Sequence, residues 1–420
     1  MPKSRKESRK TAKPSNMSAL VLTAGGARGA YQAGVLKRIS EIPAFVDKDA
    51  PFQIITGASA GAINGASIAS QHDNFTAASR HLVKLWSNLN ADDVYRTDVA
   101  AALANLRRVV LDFGLGGVTG AGRVQSLVDS APLRGFLEKA LDVQGISRAV
   151  QSGKLYALGI TATGYHSGRA FTFVEAQDGH PMWTKSRRLS LKAKITIDHV
   201  LASAAIPIVF PPVSLTVGQG HAYFGDGAMR LVTPLSPAIG LGADRLLAVG
   251  VRCQESATSL LRSEWSSDDS FENDLKRPPL AQICGTLMNA IFLDHLDSDL
   301  DHLKRMNGFA DEHQKLLSVA TEHGFTPDPD HHYLRVIHPL VISPSADIAI
   351  IAKTMEHRMP RSIRFMLEGL GTPDAQSADL TSFLLFDSEF AREIIQLGYR
   401  DAAQQIDQIE ALLRDPEYAT

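Results

Sequence analysis

Three short segments hold the residues that could do chemistry. The first, Ile54-Ile55-Thr56-Gly57-Ala58-Ser59-Ala60-Gly61-Ala62, is an apolar run that breaks into Gly-x-Ser-x-Gly and continues as a small-residue helix. The flanking glycines allow a sharp strand-to-helix turn that stands Ser59 Oγ clear of its neighbours, which is what a nucleophilic serine needs. Negative charge developing there would meet free backbone N–H groups and the positive end of the helix dipole. Close packing at a strand-helix junction explains this motif equally well when it is taken alone.

The second segment follows a buried strand, Ala19-Leu20-Val21-Leu22, and reads Thr23-Ala24-Gly25-Gly26-Ala27-Arg28-Gly29 before a helix through Ala30, Val35, Leu36 and Ile39. A glycine-rich turn at a helix start points several N–H groups one way, and suits a phosphate or an oxyanion. The dinucleotide fingerprint fails because Ala24 occupies its first glycine position. A P-loop fails because no Gly-Lys-Ser/Thr follows. The third segment is Tyr223-Phe224-Gly225-Asp226-Gly227-Ala228. Asp-Gly is ordinarily a turn signal. Here it follows an apolar, proline-punctuated stretch from Ala205 to Val217 and precedes Thr233-Pro234-Leu235, a helix start. An aspartate so placed could reach a serine presented on the same edge of a sheet.

In order and in spacing, these segments resemble the patatin-like phospholipase family of serine acyl hydrolases. The resemblance covers residues 18–251, and Pro207 with Phe210-Pro211-Pro212-Val213 looks like the family's approach to the aspartate. One departure is Ala24, where the family loop carries the first of three glycines; alanine is tolerable there if its φ is negative. The resemblance implies a Ser59/Asp226 dyad without a histidine. It implies an oxyanion hole from the N–H groups of Gly25, Gly26, Ala27 and Arg28, with Gly29, Gly57, Gly61, Gly227 and Ala228 supporting the motifs. An ordinary aspartate, with a pKa near ~3.9, is a poor base for a hydroxyl, so burial away from cations must raise it. The Arg28 side chain therefore suits loop support or a phosphate contact better than pairing with Asp226; a solvated helix-start arginine is the plainer reading.

A Ser/Asp/His triad on an α/β-hydrolase fold is the competing mechanism. Its histidine would come from His295, His302, His331, His332, His338 or His357. These lie in a polar helical stretch, a turn or a strand end, and Ser59 arrives after too few strands for that fold. No His-Glu-x-x-His or Cys/His spacing suggests a metal, and no cofactor is expected.

The remainder of the chain must position these groups. With 420 residues there is room for one large domain with additions, and a net charge of −2 offers no field for nucleic acid. The two cysteines, Cys253 and Cys284, form no ligand pattern and suit a reducing compartment. The expected organisation is a basic disordered tail over 1–17, a catalytic domain over 18–251, a polar mobile insertion over 252–282 and a mostly helical region over 283–420 packed on the catalytic domain. Leu82, Leu85, Trp86 and Leu89 have helical spacing, continued by Leu103, Leu106 and Val110, and the glycines from Gly114 to Gly122 are a candidate flap. Lys154 to Thr163, Arg169 to Glu175, Arg245 to Val251 and Tyr333 to Ile337 read as strands, and Ser388 as a helix cap.

The expected fold class is α/β, a patatin-like three-layer α/β/α sandwich with a mainly parallel central sheet and a C-terminal helical extension. The expected function is lipid acyl hydrolysis through a Ser59 acyl-enzyme. The alternatives are an acyltransferase using the same dyad or a non-catalytic lipid- or anion-binding module. Expected partners are a lipid or acyl-ester substrate and a membrane surface met peripherally by a cytoplasmic protein. No span is apolar and long enough for a transmembrane helix.

Overall fold

A computed structural model describes residues 16–96, 126, 128–253, 280–292, 295–326, 334–368 and 378–414. Most of the basic tail, the 103–110 helix, the Gly114–Gly122 flap and the bulk of the polar insertion lie outside these residues. The described strands form one sheet: β1 (Ser18–Leu22), β2 (Ile54–Ala58), β3 (Ala157–Gly164), β4 (Arg169–Ala176), β5 (Thr184–Lys185), β6 (Arg188–Lys192), β7 (Val213–Val217), β8 (Gly220–Gly225), β9 (Arg245–Val249) and β10 (His338–Ile342). Its order is β10-β9-β1-β2-β3-β4-β6-β5, and β8 pairs with both β3 and β7. The five strands from β10 to β3 run parallel. Strands β1, β2, β3 and β9 are buried from end to end, which is why they read as continuous apolar runs instead of alternating ones.

Helices cover both faces. Ala30–Ser40, Ala60–Ser70 and Phe75–Asn88 build the larger core on one side, while Ser236–Leu241 and the first part of His295–Glu322 cover the other. The chain therefore has the expected three-layer α/β/α fold with its C-terminal helices. The region beyond residue 251 is knitted into this frame: β10 extends the sheet beside β9. Helix Ser388–Gln404 lies on Ala30–Ser40, where the Tyr31 hydroxyl donates to Asp401 Oδ2 at 2.9 Å. That helix is capped by Asp387, whose Oδ1 accepts the Glu389 and Phe390 N–H groups, and Ser388 is its first residue instead of its cap.

Two elements differ from expectation. The strand anticipated at Tyr333–Ile337 falls instead at His338–Ile342; Tyr333 lies outside the described residues, and the backbone of Ile337 is satisfied by the Asn307 side chain at both its N–H and its carbonyl. The stretch after Phe210, read from sequence only as apolar and proline-punctuated, is the second. It forms the β7/β8 antiparallel hairpin, whose second strand leans on the end of β3 through Thr163 and Gly164 and delivers Asp226.

Candidate active site

Strand β2 ends at Ala58, and Ser59 follows at φ 55°, ψ −126°, the N-cap of helix Ala60–Ser70. This region of backbone space costs a non-glycine residue about 1–3 kcal/mol, so the surroundings must impose it. They do so in two ways. The Ser59 N–H donates to Ser203 Oγ at 3.0 Å, and the Ser203 hydroxyl donates to the Thr161 carbonyl on β3 at 2.6 Å. Gly61 then passes so close to β1 that a Cβ would lie 2.2 Å from the Leu22 carbonyl oxygen. With its own amide tied down, Ser59 is fixed in orientation and 1% exposed.

Asp226 ends the β7/β8 hairpin and is fully buried. Its backbone is held on both sides: its N–H donates to the Ala205 carbonyl at 2.9 Å, and its carbonyl accepts the Thr163 hydroxyl at 2.7 Å. Oδ1 accepts the Ala228 N–H at 2.9 Å. The Ser59 hydroxyl acts on the carboxyl as a hydrogen-bond donor, yet Oδ2 has no hydrogen bond of full geometry. Burial pushes the Asp226 pKa up from 3.8 to about 7, against the smaller pull of Ser59 and the Ala228 amide. Neither a histidine nor a cation contributes to that balance. Among the triad candidates, His295 opens helix His295–Glu322, and His331 and His332 lie outside the described residues.

The glycine-rich loop is a turn of 3₁₀ helix, Gly26–Gly29, entered through Gly25. Gly26 sits at φ +54°, and a Cβ there would lie 2.5 Å from the Phe383 carbonyl oxygen, so the position admits only glycine. Ala24 is absent from the residues with positive φ, and so its departure from the family pattern carries no strain. One sequence reading of Arg28 needs correction, and of the two open readings of its side chain the structure favours loop support over solvation. Its backbone N–H is engaged by the Gly25 carbonyl at 3.1 Å, which closes the turn and leaves Gly25, Gly26 and Ala27 as the loop's candidate oxyanion donors. Nor is its side chain solvated: it is 2% exposed, with Nη2 donating to Asp379 Oδ1 at 2.8 Å, Nε donating to Ser382 Oγ at 2.7 Å, and the guanidinium over the Phe383 ring at 4.6 Å. Burial lowers its pKa and Asp379 opposes that.

The loop and the nucleophile helix are locked together by residues that carried no signal in the sequence. Asn64 Nδ2 donates to the Gly29 carbonyl and to Gln32 Oε1, and Trp86 Nε1 donates to Asn64 Oδ1. Gln32 in turn donates to the carbonyls of Thr23 and Val249 at the ends of β1 and β9. Gly57 lies in β2 two residues before the serine, and Gly227 with Ala228 opens the turn after the aspartate.

Ser59 opens onto a cleft whose walls are almost wholly apolar, among them Ile63, Trp86, Leu137, Ile206, Phe210 and Phe386. A second depression, reaching Ala24, Ala58, Ala228, Arg252 and His295, does not include Ser59. The apolar cleft is the one that includes Ser59, and it offers the kind of surface that an acyl chain would bury. Among the described residues no three His, Cys, Asp or Glu side chains gather as metal ligands, and no helix is long and apolar enough to cross a membrane.

A mainly parallel α/β sandwich with a serine on a strained strand-to-helix elbow, a glycine-rich loop and a buried aspartate is the arrangement that the resemblance of the three segments implied. The family model for patatin-like phospholipases matches residues 20–239, over half of the chain, and the chain belongs to that family. No curated relative matches by sequence. Similar solved structures include VipD from Legionella pneumophila, at 14% identity and a TM-score of 0.36, covering 97% of this chain and 72% of that one. Another is human GIVD cytosolic phospholipase A2 in complex with methyl gamma-linolenyl fluorophosphonate, at 11% identity and a TM-score of 0.41, covering 95% of this chain and 59% of the human one. A third is ExoU of Pseudomonas aeruginosa with SpcU, at 12% identity and a TM-score of 0.27, covering 88% and 77%. Family membership supports lipid ester hydrolysis as the activity.

Proposed function

We propose that the protein hydrolyses carboxylic esters of lipids through an acyl-enzyme on Ser59, with Asp226 as the base. The observation that carries this reading is a strained, buried serine together with a buried carboxylate that has no cation beside it among the described residues and a pKa of about 7. In its ionised form Asp226 takes the proton of Ser59 as Oγ attacks the ester carbonyl. The oxyanion is held by the N–H groups of Gly25, Gly26 and Ala27, together with the Ala60 amide at the start of helix Ala60–Ser70. Collapse expels the alcohol, which receives the proton from Asp226. Water then attacks the acyl carbon and gives a proton to Asp226, and Ser59 is released with the proton returned to it.

The apolar cleft takes the acyl chain. Ile208 supports a peripheral contact with a lipid surface: it is 74% exposed, at φ 69°, between Ile206 and Phe210, which both line the cleft. A β-branched residue held in that conformation and left in water is a cost that burial in a bilayer would offset. Purified protein should release fatty acid from phospholipid vesicles or short-chain esters, and Ser59→Ala should abolish it. Equal release by the variant, or acyl transfer to an added alcohol with no free acid formed, would reject the hydrolase reading.

A further inference from the structure

The oxyanion loop of this chain leans on a segment far beyond the residues that the family model matches. Helix Ala378–Leu384 presents three groups to the loop. The Asp379 carboxylate meets Arg28 Nη2 at 2.8 Å, the Ser382 hydroxyl accepts from Arg28 Nε at 2.7 Å, and the Phe383 ring lies under the guanidinium. The Phe383 carbonyl oxygen closes over Gly26, where only a hydrogen fits. The helix is itself anchored from two other elements. Asn289 Nδ2 donates to Asp379 Oδ2 at 2.5 Å, and the Tyr95 hydroxyl donates to the Leu384 carbonyl at 3.0 Å. The segment then runs into Phe386, which stacks edge-on against Tyr95 at 6.0 Å and forms part of the apolar cleft.

We infer that helix Ala378–Leu384 is a working part of the catalytic centre, with Asp379 a positioning residue that acts through Arg28 to hold the Gly25–Ala27 amides where the oxyanion forms. The physical case is that a 3₁₀ turn entered through two consecutive glycines, Gly25 and Gly26, has little stiffness of its own. An arginine buried at 2% exposure is expensive to hold without a partner, so once paired and stacked it becomes a rigid post for the loop that carries it. Oxyanion stabilisation depends on donors fixed beforehand, and a displacement of about 1 Å costs on the order of 100-fold in rate. The same pairing turns the Arg28 side chain away from solvent, leaving the loop's peptide groups, and not its one cation, to meet substrate.

This inference rests on the Ser59/Asp226 reading, and the test separates the two. Steady-state hydrolysis of a soluble short-chain ester should be measured for wild type, Ser59→Ala, Asp379→Asn, Asp379→Glu, Ser382→Ala, Arg28→Met and the double variant Arg28→Met/Asp379→Asn, with thermal melting as the check on folding. Asp379→Asn should lower kcat about 10- to 100-fold and change KM less than about 3-fold, with partial recovery in Asp379→Glu. Because Asp379 acts through Arg28, the double variant should lose no more than Arg28→Met alone. Should Asp379→Asn fail to fold, Ser382→Ala decides, with an expected fall in kcat of about 3- to 10-fold. Wild-type kcat in the folded Asp379 or Ser382 variant, a change confined to KM, or losses that multiply in the double variant would overturn the inference. Full activity in Ser59→Ala would instead overturn the reading beneath it.

Discussion

Replacing Asp226 by Asn should make the protein inactive and remove a loss of stability that wild type undergoes as pH rises to neutral. Burial raises the carboxyl from 3.8 to about 7, so from about pH 4 to pH 7 the native state holds a proton that the unfolded chain has lost. With the native state binding more protons, stability falls as pH rises through that window and is level on either side of it. About three pKa units at 1.36 kcal/mol each give up to about 4 kcal/mol lost by wild type between pH 4 and pH 8. Asparagine does not titrate, keeps an oxygen to accept the Ala228 N–H, and escapes that loss. Other consequences of the substitution, such as an amide group where Oδ2 was, add an offset independent of pH. The assay is therefore the difference in melting temperature between variant and wild type, measured from pH 4 to pH 9. The difference should grow in favour of Asp226→Asn up to about pH 7 and then level off. Parallel curves across the whole range would refute the reasoning, because they would mean that the carboxyl has an ordinary pKa in the folded protein.

Wild-type kcat/KM on a soluble ester should rise with pH, reach half its maximum near pH 7 as Asp226 ionises, and then level; half-maximal activity near pH 4 would show a base that burial does not perturb. Ile63→Trp should fill the cleft beside Ser59 and lower kcat/KM for long-chain esters by at least about 10-fold while altering acetyl ester hydrolysis less than about 3-fold, seen in a chain-length series. Ile208→Asp should weaken sedimentation with phospholipid vesicles by about 10-fold or more and leave soluble ester hydrolysis unchanged; unchanged sedimentation would remove this loop from any membrane contact.

What could be read from sequence were the places where the backbone itself is constrained. Gly57 and Gly61 around Ser59, and Gly227 after Asp226, are needed because chain segments pass almost in contact there, and such needs leave local signatures. Strands β1, β2, β3 and β9 were legible because parallel strands buried on both faces must be continuously apolar. β10 was not, since Pro339 lies within it; an edge strand tolerates that, and Ile337 just before it carries strand-like residues whose backbone bonds go to Asn307. Loop support was one of two open readings of the Arg28 side chain, and sequence could not choose between them. Its partner Asp379 is 351 residues away, and nothing near Arg28 announces an acid. Ser203 sits among alanines, and its bond to the Ser59 amide exists only once β3, the elbow and helix Ile197–Ser203 are assembled.

The central claim is that Ser59 is the nucleophile and that Asp226 activates it. A lipid fluorophosphonate, followed by peptide mass mapping and a time course of adduct formation, tests both halves at once. The account predicts a single adduct on Ser59, absent in Ser59→Ala and formed at least about 100-fold more slowly in Asp226→Asn. An adduct on another residue, or one that forms on Ser59 at the wild-type rate without the Asp226 carboxylate, would contradict it.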